Sequence, residues 1–194
     1  MKIEYEATYT NIDKAEIRGR LKAAGAKLVK PEFMMKRIVF DLPAEHKVPG
    51  GWLRVRDEGD QITMSLKTVS GQDITSQKET CFKIDNFDEG VDFFDCLGCQ
   101  RKSYQESRRE LWILDQVEIT IDEWPYLEPL VEIEGESEDA VKNISTRLGF
   151  DYGQARFCSV DKLYHDKYGT PLHDINFNTK RRTFSDPNPF VIIK

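Results

Sequence analysis

Lys2-Ile3-Glu4-Tyr5-Glu6-Ala7-Thr8-Tyr9 alternates without a break: Ile3, Tyr5, Ala7 and Tyr9 fall on one side of an extended chain, and Lys2, Glu4, Glu6 and Thr8 on the other. Successive side chains of a strand point to opposite faces, so this stretch reads as a half-buried strand carrying two carboxylates on its polar face. The same period recurs down the chain. Leu53 and Val55 oppose Trp52, Arg54 and Arg56; Ile62, Met64 and Leu66 oppose Gln61, Thr63, Ser65 and Lys67; Val117, Ile119 and Ile121 oppose Glu118, Thr120 and Asp122; Val131 and Ile133 oppose Glu132 and Glu134. Weaker strand signals lie near 35–41, 77–84 and 102–113, which makes about eight strands. Asp57-Glu58-Gly59-Asp60 is a tight turn that makes an antiparallel hairpin of the strands flanking it.

Four amphipathic helical patterns punctuate the strands, each with a polar residue before it and glycine after it. They span 12–24 (Asn11 as N-cap, Gly25 beyond), 87–97 (Asn86, Gly98), 138–148 (Ser137, Gly149) and a shorter 159–168 that ends at Gly169 and Pro171. From about 170 the pattern stops. The stretch with Lys180-Arg181-Arg182 and Ser185-Asp186-Pro187-Asn188-Pro189 reads as a loosely attached extension, residues 169–194, behind a domain of residues 1–168.

The chain has 194 residues, 39% of them hydrophobic and 32% charged, with a net charge of −6. That length predicts one domain. Eleven Phe, seven Tyr and three Trp supply large core residues and exclude wholesale disorder. No stretch approaches the ~20 apolar residues of a membrane span. The acidic, alternating start is no signal peptide, so a cytoplasmic protein is expected. Cys81, Cys96, Cys99 and Cys158 make no disulfide framework, and Cys96-Leu97-Gly98-Cys99 stands alone where a structural zinc site needs four ligands. His46, His165 and His173 fall in loops or the tail, away from any motif nucleophile, and there is neither a P-loop nor a GxGxxG; Gly50-Gly51 reads as a turn before a strand. The acidic balance argues against a nucleic-acid groove, which demands a basic surface.

The charges segregate by strand. Glu4, Glu6, Asp122, Glu132 and Glu134 are acidic, whereas Arg54, Arg56 and Lys67 are basic. A merely solvated face would mix them. With amphipathic helices available to cover the apolar side, the charged side is expected to line a closed barrel of the α+β class, and about eight strands enclose a ligand-sized interior. Paired Glu-x-Glu carboxylates are oxygen ligands suited to Mg²⁺ or Mn²⁺, and neighbouring Arg and Lys suit phosphate oxygens.

At this level of detail the chain resembles the CYTH family, which includes class IV adenylyl cyclases, thiamine triphosphatases and other triphosphate tunnel metalloenzymes. Glu4-Tyr5-Glu6 is similar to the start of its ExExK signature, Leu53-Arg54-Val55-Arg56 to its LRxR strand and Met64-Ser65-Leu66-Lys67 to its LTxK strand. Phe40-Asp41, Lys78-Glu79, Arg109-Glu110-Leu111-Trp112, Ile121-Asp122 and Leu130-Val131-Glu132-Ile133-Glu134 follow in the family's order, over about residues 2–165. The resemblance implies an eight-stranded antiparallel barrel with helices outside and a triphosphate and divalent metal in its lumen. It implies Glu4, Glu6, Glu132 and Glu134 around the metal, with Asp122 and Glu79 nearby. It assigns Arg54, Arg56, Lys67 and Arg109 to the triphosphate, with Lys78 beside them; Glu4, Glu6, Arg54, Arg56 and Lys67 would carry the catalysis. The substrate would be tripolyphosphate, ATP or thiamine triphosphate, hydrolysed or (for ATP) cyclised, in a monomer or a homodimer.

Four positions on two strands depart from the family pattern. The lysine of ExExK is Thr8, and the second strand carries Met35, Arg37 and Val39 where Gln, Asp and Tyr are usual. Arg37, taken as lying on a neighbouring strand, is the candidate replacement for the missing cation. The loss at Thr8 leaves open a non-catalytic module that binds polyphosphate or nucleotide.

Overall fold

The computed structural model describes residues 1–191. Its strands are β1 (Lys2–Ile3), β2 (Tyr5–Thr10), β3 (Lys27–Asp41), β4 (Gly51–Asp57), β5 (Ile62–Val69), β6 (Gln77–Ile84), β7 (Gln100–Leu114), β8 (Val117–Glu123), β9 (Leu130–Gly135) and β10 (Arg181–Arg182). The helices are α1 (Lys14–Ala23), α2 (Phe87–Cys96), α3 (Glu138–Arg147) and α4 (Val160–Tyr168). Every strand and helix expected from periodicity is present, with β3 and β7 longer than the alternation alone suggested.

The sheet runs in the order β1-β6-β5-β4-β3-β7-β8-β9-β2. Its two ends are the two halves of one N-terminal stretch. Lys2 and Ile3 pair antiparallel with Glu79 and Lys78 on β6, and Tyr5 to Thr10 pair with Gly135 to Leu130 on β9. The break falls at Glu4, whose N–H donates to Gln77 O at 3.0 Å. The expected eight staves thus become nine strands, because the stave that joins the two edges is divided at Glu4.

Helices cover the apolar face. α1 and α3 seat Ile17, Leu21, Val141, Ile144 and Leu148 on Ala7, Tyr9, Ile119, Ile121, Val131 and Ile133. α2 seats Val91 and Phe94 on Phe40, Val55 and Met64. A Cβ at Gly90 would lie 2.4 Å from Ile84 Cδ1 and 3.3 Å from Val55 Cγ1, so α2 can approach this closely because position 90 has no side chain. At ~2 kcal/mol per buried large aliphatic side chain, these outer layers carry the stability and leave the inner face free for polar groups. No helix among the described residues is long and apolar enough to cross a membrane.

Two expectations are corrected. The N-cap of α1 is Asp13, whose carboxylate accepts from Glu16 N at 2.8 Å, and not Asn11. Asn11 instead turns the chain off β2 in a left-handed conformation (φ 59°), where a cap needs extended backbone. The tail, as far as Val191, is not loosely attached either. β10 runs parallel to β7, pairing with Tyr104 and Gln105 beyond the reach of β8, and Tyr104 N donates to Lys180 O at 2.9 Å. Arg182 is buried, paired with Asp161 at 2.5 Å and set over the Tyr164 ring. Tyr126 Oη donates to the backbone oxygens of Thr183 and Asp186, and Phe190 lies among Tyr126, Tyr164 and Tyr168.

This anchoring is testable. Arg182→Ala removes a charge-assisted contact at a buried site and is expected to lower the unfolding free energy by about 2 kcal/mol. Urea denaturation measures it; a loss below ~0.5 kcal/mol would mean that the tail contributes nothing to the fold.

Candidate active site in the barrel lumen

The register fixes which side chains meet inside. On β2, Glu6 and Thr8 face inward, and their partners on β9 are Glu134 and Glu132. Beyond them on β8 stand Glu118 and Thr120, opposite Glu134 and Glu132, and then Asp122 opposite Arg109 of β7. The other half is basic. Gln105 on β7 faces Arg37 on β3, Arg37 faces Arg56 on β4, Arg56 faces Thr63 on β5, Arg54 faces Ser65, and Trp52 faces Lys67. Lys67 in turn faces Glu79 on β6. One cavity of about 1280 Å³ runs between these walls, lined by Glu4, Glu6, Glu79, Glu132 and Glu134 on one side and by Arg37, Arg54, Arg56, Lys67 and Arg109 on the other.

Two cations join the halves. Lys67 Nζ lies 2.8 Å from Glu4 and 4.0 Å from Glu6. Arg109 reaches Asp122 Oδ1 with Nε at 2.7 Å and Glu132 with Nη2 at 2.6 Å. Arg54 pairs with Glu79 at 2.8 Å and Arg56 with Glu58 at 2.5 Å. Even so, the Nε atoms of Arg37, Arg54 and Arg56, with Thr63 Oγ1 and Ser65 Oγ, are buried and without a hydrogen-bond partner among the described residues. All five lie on the β3–β4–β5 wall. Glu4 Oε2 is likewise buried, with Lys67 Nζ 2.8 Å away.

Burial sets the proton affinities. It pushes Glu134 up to about 7, helped by Glu6, and Glu4 up to about 8, where Lys67 opposes it and Glu79 reinforces it. Burial, Glu6 and Asp122 also hold Glu132 well above the ordinary carboxylate range. Burial alone would raise Glu79 as well, but Arg54 and a proton shared from Glu4 bring it down to about 2. On the basic wall, burial and then Arg54 lower Arg56 to about 10. Burial and the neighbouring Arg54, Arg56 and Arg109 pull Arg37 down too. An anion against this wall would relieve the repulsion among the arginines; a cation among the acids would do the same for them.

Of the residues singled out from the sequence, Glu4, Glu6, Glu79, Asp122, Glu132, Glu134, Arg37, Arg54, Arg56, Lys67 and Arg109 all come to this lumen. Lys78 does not. Neighbours on a strand face opposite ways, so with Glu79 inside Lys78 is exposed outside. Arg37 is also misplaced in the sequence reading: β3 stands four strands from β2, on the facing wall, so it cannot fill the volume beside Thr8. Nor do the four glutamates converge as a ready-made ligand set. Among the described residues no group of three or more His, Cys, Asp or Glu stands in a metal-holding arrangement, because Lys67 and Arg109 are interleaved with the acids. The sequence reading missed Glu58, Gln77, Gln105, Glu118 and Lys102. Glu118 was legible, since it shares the alternation of Thr120 and Asp122.

The raised carboxyls predict a pH dependence. Glu4 titrates at about 8 in the folded protein against 4.5 as its ordinary value. Between those values the folded state binds more protons than the unfolded one, so stability falls as pH rises across that window and levels above it. Glu4→Gln is expected to make the melting temperature flatter between pH 5 and 8 than in the wild type. Thermal unfolding at stepped pH tests this, and equal slopes would show that Glu4 is not held in its protonated form.

Comparisons with known proteins agree with this geometry. The family model of the CYTH domain matches residues 2–164. A search by sequence among curated proteins finds no match. Among solved structures, a candidate adenylate cyclase from Vibrio parahaemolyticus superposes with a TM-score of 0.69 at 12% identity, over 84% of this chain and 97% of that one. A conserved hypothetical protein from Pyrococcus furiosus gives 0.66 at 18% identity, over 78% and 94%. A candidate adenylyl cyclase from Hippeastrum, described as having a dominant triphosphatase activity, gives 0.56 at 14% identity, over 89% and 99%. At these identities the superpositions speak for the fold. The family model, spanning most of the sequence, speaks for descent, and the chain belongs to the CYTH-domain family.

Proposed function

We propose that this protein is a divalent-metal-dependent enzyme that binds a triphosphate compound in its lumen and transfers or releases a phosphoryl group from it. The observation that carries the reading is the divided lumen: one cavity with carboxylates on one wall and, on the other, three arginines whose buried Nε donors lack partners among the described residues. Stranded donors in a buried site are costly unless a ligand engages them, and a polyphosphate is the ligand whose charge and oxygen spacing suit several guanidinium groups.

Arg54, Arg56, Lys67 and Arg109 would hold the phosphate chain, and their rigidity on strands would orient it for attack. Glu4, Glu6, Glu132 and Glu134 would hold Mg²⁺ or Mn²⁺. The fit rests on their chemistry: all are hard oxygen donors, and burial keeps three of them in search of positive charge. Glu79 and Asp122, already paired with Arg54 and Arg109, would position those arginines. When bound, the metal would supply neutralisation of phosphate charge, which is most of what phosphoryl transfer asks of a site. In a hydrolase water would attack the terminal phosphorus and orthophosphate would leave; in a cyclase the ribose 3′-hydroxyl of ATP would attack the α-phosphorus, lose its proton and expel pyrophosphate.

A phosphate-release screen with tripolyphosphate, ATP and thiamine triphosphate, each with Mg²⁺ and with Mn²⁺, tests the reading, and a cyclic AMP assay separates hydrolysis from cyclisation. Turnover of at least one compound is expected. Binding without turnover of any would make the protein a binding module. The double change Glu132→Gln with Glu134→Gln should abolish metal-dependent turnover while the melting temperature is held; full activity would remove these residues from the site. Arg54→Ala or Arg56→Ala should weaken tripolyphosphate binding roughly 10- to 150-fold, the worth of one charge-assisted hydrogen bond. Unchanged dissociation constants by calorimetry would exclude both arginines from phosphate contact.

A further inference from the structure

The cavity is larger than a phosphate chain requires: at about 1280 Å³ it exceeds the ~300–1,000 Å³ of most complete small-molecule sites. On β4 the inward residues are Trp52, Arg54 and Arg56. Two strand residues span about 7 Å, so a triphosphate lying along Arg56 and Arg54 brings whatever it carries to Trp52.

Part of the cavity lining comes from outside the matched family region. Asn176 and Phe177, on a π-helical turn at Asp174–Asn178, line the cavity, and the His173 ring stands 5.0 Å from that of Phe177. Lys102 lines it as well, because the β3–β7 register slips there: Val39 pairs with Ser103 and Phe40 with Arg101, leaving Lys102 as the extra residue of a bulge. Bulges re-aim side chains. Lys102 Nζ sits 5.2 Å from the Phe177 ring centre. The two carboxylates whose charge reaches Lys102 are already engaged, Asp41 with Lys47 at 3.4 Å and Asp161 with Arg182 at 2.5 Å. The mouth therefore offers aromatic faces, a side-chain amide and a cation with spare donors.

We propose that Phe177 and Asn176 of the tail, with Lys102 and Trp52, form a subsite for a flat heteroaromatic group carried on the triphosphate, so that the preferred ligand is an organic triphosphate and not the bare inorganic chain. The inference rests on the triphosphate reading of the lumen. Stacking discriminates by chemical class: a nucleobase and a thiamine ring both have the flat face it needs, whereas tripolyphosphate has none.

Calorimetric titration of the full chain with ATP, thiamine triphosphate and tripolyphosphate, each with Mg²⁺, tests it. In the wild type one of the organic compounds is expected to bind at least about tenfold more tightly than tripolyphosphate. Phe177→Ala should cut that ratio about tenfold, and Phe177→Trp should preserve it. Whichever organic compound loses its advantage identifies the ring. An unchanged ratio in Phe177→Ala, with tripolyphosphate still bound, overturns the subsite alone. Failure of all three compounds to bind the wild type overturns the triphosphate reading and the subsite with it.

Discussion

Closing a sheet on itself forces the polar faces of all its strands into one small volume, and here the ring would bring Glu4, Glu6, Glu132, Glu134, Glu79 and Asp122 together were it not for Lys67 and Arg109. Lys67 stands against Glu4 and Glu6 where β5 approaches the N-terminal stretch, and Arg109 spans Asp122 and Glu132 where β7 meets β8 and β9. Buried ion pairs seldom stabilise a fold in net terms, because desolvation cancels much of the attraction. Their role here is to make the enclosure tolerable. The favourable free energy comes from the outer layers, where α1, α2 and α3 cover apolar rows.

That division lets the inner face remain imperfectly satisfied. Three arginines with unengaged Nε atoms stand side by side on β3 and β4, next to two hydroxyls that also lack partners. A core of this kind would destabilise a protein that had to bury it for stability alone. In a barrel held from outside, the same groups are donors fixed in place before a ligand arrives, so little reorganisation remains to be done on binding.

Most of the inner wall was legible in the sequence because a period of two is insensitive to context: once Ile133 is placed outside, Glu132 and Glu134 must be inside. The same rule excludes Lys78, because a strand that sends Glu79 inward cannot send its neighbour inward as well. Arg37 was placed on a neighbouring strand, whereas the pairing order, set by long-range closure, puts β3 on the far wall. Lys102 was hidden by the bulge, since an unpaired residue breaks the alternation that would have reported it. The tail carries no period at all. Its attachment depends on single distant pairs, Arg182 with Asp161 and Tyr126 with the backbone at Thr183 and Asp186, which leave no local pattern to read.

The divided N-terminal stave also bears on the order of folding. β1 pairs with β6 and β2 with β9, so residues 2–10 must wait for Leu130–Gly135 before the ring can close. The meander from β3 to β6 and the β7–β8–β9 ladder can form from nearby segments, but closure joins positions more than a hundred residues apart, such as Glu6 and Glu134. Pairings of such separation carry the largest loop entropy and come late. Until then the carboxylates of β2 and β9 remain hydrated and apart. The electrostatic cost of the lumen is thus deferred to the last step of assembly, the same step in which α1 and α3 gain the joined apolar rows of β2 and β9 to cover.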